Sequence, residues 1–190
     1  MCLKPAKFVA FIFLTLIFVS GILAKDFRSD IKVADLKASS GLTYEIAENF
    51  QVGDKEYTDR DYTFTSIPDY LLGLTWIRTA NDDKKSVTLE VSFKIDKDAY
   101  VYILWVARDP AQQDWLQNNY TKIDGEVGST DEPLSVYKSN QPFSAGEVKT
   151  YQSNTGAGHY VIVLEATESL ASVKASDKLT TTWGKIKANH

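Results

Sequence analysis

The chain has 190 residues, with 21 Lys and Arg against 25 Asp and Glu, for a formal net charge of −4. Two of the basic residues and none of the acids lie in the first 24 positions, which leaves −6 on the other 166 residues. An acidic chain without a basic cluster is a poor partner for nucleic acid or anionic lipid. One cysteine (Cys2) and two histidines (His159 and His190) exclude a disulfide, make a zinc cluster untenable and leave no thiolate nucleophile beyond Cys2.

Residues 1–24 read as a secretory signal peptide. Lys4 and Lys7 form a short basic start, Phe8 to Val19 is almost wholly apolar, and Ser20, Gly21 and Ala24 are small residues of the kind a signal peptidase accepts. The apolar run is shorter than the ~20 residues of a comfortable membrane span. Cleavage is expected after Ala24, with Gly21 as the alternative, and no stable membrane insertion should follow it. The expected location is secreted, extracellular or periplasmic.

Residues 25–40 are mixed and polar and read as a lead-in. Short strand candidates follow at Thr43 to Ile46 and Tyr62 to Thr65. Leu71 to Thr79 is rich in strand formers. Val87 to Ile95 alternates strictly, with Val87, Leu89, Val91, Phe93 and Ile95 on one side and Thr88, Glu90, Ser92 and Lys94 on the other. That period of two marks one buried and one wet face. The polar stretch Asn81-Asp82-Asp83-Lys84 between the two runs predicts a hairpin from Leu71 to Ile95 with a solvated tip.

Tyr100 to Ala107 is apolar or aromatic at every position, which predicts a central strand covered on both faces. One short helix is expected next, with Asp109 as its cap, Pro110 at its first position and Gln112 as a capping partner. Trp115 and Leu116 should anchor it. Leu134 to Tyr137 and Tyr160 to Glu165 are further strands. From Thr167 the chain turns to Ser, Thr, Lys and Ala and reads as a flexible tail over residues 167–190. The expected fold is an all-β antiparallel sandwich, jelly-roll-like or immunoglobulin-like, with one short helix, over residues 41–166.

Tyr57-Thr58-Asp59-Arg60-Asp61-Tyr62 is the most unusual segment. Acids and an arginine can bond sugar hydroxyls while tyrosines offer faces, so Tyr57, Asp59, Arg60, Asp61 and Tyr62 are candidate ligand contacts, with Trp115 as a further stacking residue. The same residues also suit an ion-paired corner, in which strand alternation would send Asp59 and Asp61 to one side and Arg60 to the other. Arg60 should then be held by a carboxylate, not necessarily that of a sequence neighbour. Asp59, Asp61, Asp82 and Asp83 are weak candidates for calcium, although their spacing matches no calcium loop. Trp76 and Trp105, inside strands, read as core. No serine-nucleophile motif of the Gly-x-Ser-x-Gly type occurs, and no third feature selects one catalytic carboxylate pair among the 25 acids.

Several segments in order resemble a secreted bacterial β-sandwich accessory domain found in large extracellular and carbohydrate-active proteins. They are Gly41-Leu42-Thr43-Tyr44-Glu45, Tyr57-Thr58-Asp59-Arg60-Asp61-Tyr62-Thr63-Phe64, Ile67-Pro68-Asp69-Tyr70-Leu71-Leu72-Gly73, Ile77 to Lys84, Tyr100-Val101-Tyr102, Trp115-Leu116, Leu134-Ser135-Val136-Tyr137 and Ala145-Gly146-Glu147-Val148. After Val148 the pattern departs: Lys149 to Gly156 stands where the family has a Gly- and Asn-rich turn. The ending Thr181-Thr182-Trp183-Gly184-Lys185-Ile186-Lys187 resembles one on assorted secreted bacterial proteins. The resemblance implies association with carbohydrate by company alone. The expected function is a secreted, non-catalytic binding module for glycan. The alternative is a structural or adhesive protein that binds an extracellular protein partner, and a hydrolase stands third. No cofactor is expected, calcium aside.

Overall fold

The computed structural model describes residues 31–109, 113–153 and 156–167. Ten strands run through these residues. They are β1 (Val33–Ala38), β2 (Glu45–Ala47), β3 (Phe64–Ser66), β4 (Thr75–Arg78), β5 (Glu90–Ile95), β6 (Ala99–Val106), β7 (Tyr120–Ser129), β8 (Leu134–Ser139), β9 (Gly146–Tyr151) and β10 (Val161–Ala166). A 3-10 helix (Asn81–Lys85) lies between β4 and β5, and α1 (Asp114–Asn119) lies between β6 and β7. The strands form a three-stranded sheet, β1-β5-β9, and a seven-stranded sheet, β2-β4-β10-β6-β8-β7-β3. Neighbouring strands pair antiparallel throughout. The class expected from sequence, an all-β antiparallel sandwich, is the class observed.

The two faces of the large sheet carry two separate cores, and the pleat sorts residues between them. On β6, Ala99, Val101, Ile103 and Trp105 join one core, while Tyr102, Leu104 and Val106 join the other. On β10, Ile162 and Leu164 go with the first set and Val161 and Val163 with the second. The first core fills the space against the small sheet, where Val91, Phe93 and Ile95 of β5 and Val148 of β9 point inward. The second is closed by residues between β2 and β4, with Phe50, Phe64 and Trp76 meeting at ring distances of 4.8–5.6 Å. Strands buried on both faces read as unbroken apolar runs, and β5 of the small sheet alternates.

The hairpin expected from Leu71 to Ile95 does not form, because β4 and β5 belong to different sheets. Trp76 and Ile77 of β4 are both fully buried, on opposite faces, which suits the interior of the large sheet. β5 keeps a polar face and suits the outer sheet. The segment between them is not a solvated tip either: Asn81 and Asp83 are buried within the 3-10 helix. Their polar atoms are satisfied from other parts of the chain. Asp83 accepts from Ser40 and from Tyr44, both at 2.8 Å, and Asn81 Oδ1 accepts the His159 N–H at 3.1 Å.

The lead-in contains β1, which pairs with β5, so the sandwich begins before residue 41. β1 is an outer strand whose Val33, Leu36 and Ala38 are only half-buried, hence its polar composition. Two further strands, β7 and β9, had no strong apolar signal because both expose most of one face. The helix starts at Asp114 rather than after Asp109, with Gln113 at the cap position and no side-chain cap bond. Leu116 is its buried anchor and Trp115 is half-buried. Pro110 to Gln112, residues 1–24 and the tail from 168 lie outside the described residues.

Candidate functional site

Burial of Leu116 seats α1 against the first core, and this turns Trp115 toward the end of β9. There Gln113, Asp114, Trp115, Tyr151 and Gln152 line an open hollow of about 380 Å³. Trp115 meets Tyr120, Tyr151 and Tyr160 at ring distances of 5.8, 6.1 and 5.6 Å. Its indole N–H donates to the Gln152 carbonyl at 3.0 Å. Tyr151 is 37% exposed, the outermost ring of the group. Aromatic rings beside amides and a carboxylate offer both halves of a sugar's chemistry, a stacking surface for its C–H face and bonding groups for its hydroxyls.

The wall of this hollow is tied down from behind. Thr150 Oγ1 and Tyr160 OH lie 2.9 Å apart, and the Tyr160 hydroxyl donates to the Tyr151 carbonyl at 2.7 Å. Ser153 Oγ lies 3.0 Å from His159 Nδ1, and His159 Nε2 lies 3.0 Å from the Tyr44 hydroxyl. His159 is fully buried, and burial lowers its pKa to about 3, so the ring is neutral at ordinary pH. Burial also pushes the Tyr44 and Tyr160 phenols far up. Sequence reasoning missed His159 as a hub. A lone histidine followed by an apolar run was the only signal available.

The residues of the Tyr57–Tyr62 segment form a different feature. Tyr57 is buried, and its hydroxyl donates to the His159 carbonyl at 2.6 Å, so it presents no ring face to solvent. Tyr62 is half-buried against the second core. Asp59 accepts the backbone N–H groups of Asn81 at 2.8 Å and Asp82 at 3.0 Å. Arg60 donates to the Asp59 carbonyl at 2.7 Å and pairs with the Asp82 carboxylate. Asp61 is 93% exposed and pairs with Lys55 at 2.7 Å, which draws its pKa down. The segment is not a strand, so alternation does not set these directions. Asp59 faces the 3-10 helix and Asp61 faces Lys55.

The four calcium candidates likewise do not converge. Asp59 is engaged by backbone N–H groups, Asp61 by Lys55, Asp82 by Arg60, and Asp83 by two hydroxyls. Among the described residues no three His, Cys, Asp or Glu side chains stand together where they could hold a metal ion. Trp76 and Trp105 are core residues, as their strands imply. Tyr120 is buried against Trp115.

Glu56 is a second group that sequence reasoning did not single out. Its side chain is buried and accepts a hydrogen bond from Ser129. Burial raises its pKa to about 7, although the bond from Ser129 pulls the other way.

No family model matches the chain, and no curated protein does. Solved structures do. A β-glucuronidase from glycoside hydrolase family 2 is similar with a TM-score of 0.62 at 20% identity, over 71% of this chain and 15% of that one. A family 138 glycoside hydrolase targeting pectin rhamnogalacturonan II is similar with a TM-score of 0.50 at 16% identity, over 74% of this chain and 17% of that one. The chain therefore matches only a small part of each enzyme. At these identities the likeness establishes the fold class, an all-β sandwich-like domain.

Proposed function

We propose that this chain is a secreted β-sandwich module that binds carbohydrate and does not cleave it. The observation that carries the reading is the hollow between α1 and β9, where Trp115 and Tyr151 stand beside Gln113, Asp114 and Gln152. Two solved neighbours are glycoside hydrolases of which the matching part is a small fraction, which is the company a carbohydrate-associated module keeps. Glycoside hydrolysis commonly uses two carboxyl groups facing each other across the bond. Among the described residues the hollow is lined by one, Asp114. The sequence of residues 1–24 supports secretion.

A glycan array probed with the mature chain tests this. Binding to a plant, algal or animal glycan is expected. Tyr151→Ala should abolish it with little effect on the fold, since Tyr151 is exposed, and Trp115→Ala should abolish it at some cost in stability. Silence across all three glycan classes would remove the reading.

One observation favours a protein partner instead. β2 is an outer strand of the large sheet, and Leu42 and Ile46 on and beside it are 41% and 43% exposed. An uncovered edge with apolar side chains invites strand pairing. Light scattering at rising concentration decides whether it self-associates.

A further inference from the structure

Tyr151 and Gln152 form the β9 side of the hollow, with Thr150 and Ser153 flanking them in the chain. These four residues are bonded to three anchors. Thr150 and the Tyr151 carbonyl meet the Tyr160 hydroxyl, the Gln152 carbonyl meets the Trp115 indole, and Ser153 meets His159. The His159 and Tyr160 rings lie 4.2 Å apart, so two of the anchors brace each other.

The direction of the bonds at His159 follows from donor counting. The Asp83 carboxylate accepts from Ser40 and from Tyr44. Tyr44 has one hydroxyl proton and gives it to Asp83, so toward His159 it accepts. Nε2 therefore carries the ring proton. Nδ1 is the bare nitrogen, and Ser153 donates to it. The relay runs Ser153 to His159 to Tyr44 to Asp83, joining the β9 end, the start of β10, the approach to β2 and the 3-10 helix.

We propose that His159 is the positioning residue of the carbohydrate hollow: its neutral ring, held in one tautomer by Tyr44 and Asp83, accepts from Ser153 and so sets the place of Tyr151 and Gln152. The proposal rests on the reading of that hollow as the glycan site. A protonated His159 carries a proton on Nδ1, so Ser153 must turn its hydroxyl from donor to acceptor and the bond between them reverses. Acid then perturbs the wall without touching any residue that lines the hollow.

The groups that face the ring limit where this happens. Tyr44 and Ser153 bond it, Tyr160 stacks on it, Tyr57 bonds its carbonyl and Asn81 bonds its N–H. The charged groups in the surroundings include Asp83, one hydroxyl away, Asp59, which accepts the Asn81 N–H at 2.8 Å and acts on Tyr44 and Tyr57, and Lys84, whose Nζ reaches the Ala157 carbonyl at 3.4 Å. Burial keeps the ring neutral down to strongly acid pH.

The test follows the full chain by ¹H–¹⁵N NMR from pH 7 downward and needs no ligand, so it stands or falls apart from the glycan array. The probe is the Trp115 indole N–H, assigned with Trp115→Phe. In the wild type this signal and the amides of Gln152 and Ser153 should shift together with the His159 imidazole, while the Ile103 and Val163 amides in the sheet interior hold. In His159→Asn the side-chain oxygen stands near the Nδ1 position and accepts from Ser153 without titrating, so the Trp115 signal should stay flat. Ser153→Ala should displace the Trp115 signal already at pH 7 with the sheet amides unchanged. An unmoved Trp115 signal in Ser153→Ala overturns the proposal, whether or not His159→Asn folds. A wild-type Trp115 signal that changes only in step with Ile103 overturns it too.

Discussion

Asp59 caps a helix that begins 22 residues further along the chain: its carboxylate accepts the backbone N–H groups of Asn81 and Asp82 at 2.8 and 3.0 Å. The residue at the 3-10 helix's own cap position is Ala80, which has no side chain able to do this. The first N–H groups of a helix lack internal partners, so a carboxylate from elsewhere fills the role.

Asp59→Ala should therefore destabilise the fold by about 1–2 kcal/mol, the cost of a lost cap. Asp59→Asn, which retains an acceptor oxygen, should cost less. Urea unfolding of the three proteins checks the order. Equal stability of Asp59→Ala and the wild type would remove the cap from the account.

Arg60→Ala should cost less than about 1 kcal/mol. A deeply buried pair would have cost ~3–5 kcal/mol on losing one partner, but the Arg60 side chain is 33% exposed and that of Asp82 59% exposed. High salt should weaken what little the pair contributes. A loss near the larger figure, insensitive to salt, would contradict the exposed geometry.

Phe93→Ala should cost ~3–5 kcal/mol. Phe93 is 1% exposed and sits opposite Val148 in the β5–β9 ladder, facing the first core. Val87→Ala, on the same arithmetic face of the alternation but 63% exposed, should cost almost nothing. The contrast between the two, read by thermal and urea unfolding, checks that the alternating face becomes core only from Leu89 onward.

Two buried groups give stability opposite slopes with pH. His159 has its ordinary value of 6.5 lowered to about 3 by burial, so between those limits the unfolded chain binds the extra proton and stability falls as pH falls. Glu56 has its ordinary value of 4.5 raised to about 7 by burial, so the folded chain holds the extra proton and stability falls as pH rises through that window. The slopes oppose each other between about 4.5 and 6.5. His159 alone acts below that range and Glu56 alone just above it. The urea midpoint of His159→Asn should fall less than the wild type's from pH 4.5 to 3. That of Glu56→Gln should fall less from pH 6.5 to 8. Parallel curves for variant and wild type in either window would show that the group named does not titrate as its burial requires.

Much of the strand content was legible in the residues themselves. Val87 to Ile95 alternates and Tyr100 to Ala107 does not. That difference already separates a strand with one wet face from one buried on both, because side chains leave a strand on alternate sides. β1, β7 and β9 were not legible, since edge and half-exposed strands bury too few apolar groups to set a period. The charged segment Tyr57–Tyr62 stood out by composition, and Trp115 was singled out near a loop, but the directions of Asp59 and Asp61 required the fold.

The chain by itself determined the class of protein, since period and composition are properties of neighbouring residues. It could not decide that β4 and β5 part into different sheets, or that Asn81 and Asp83 turn inward. It also could not reveal that His159 joins Ser153 to Tyr44 across 115 positions. Those outcomes belong to the tertiary structure. A buried polar group must find a partner wherever the packed chain brings one, and no local pattern records which distant residue that will be.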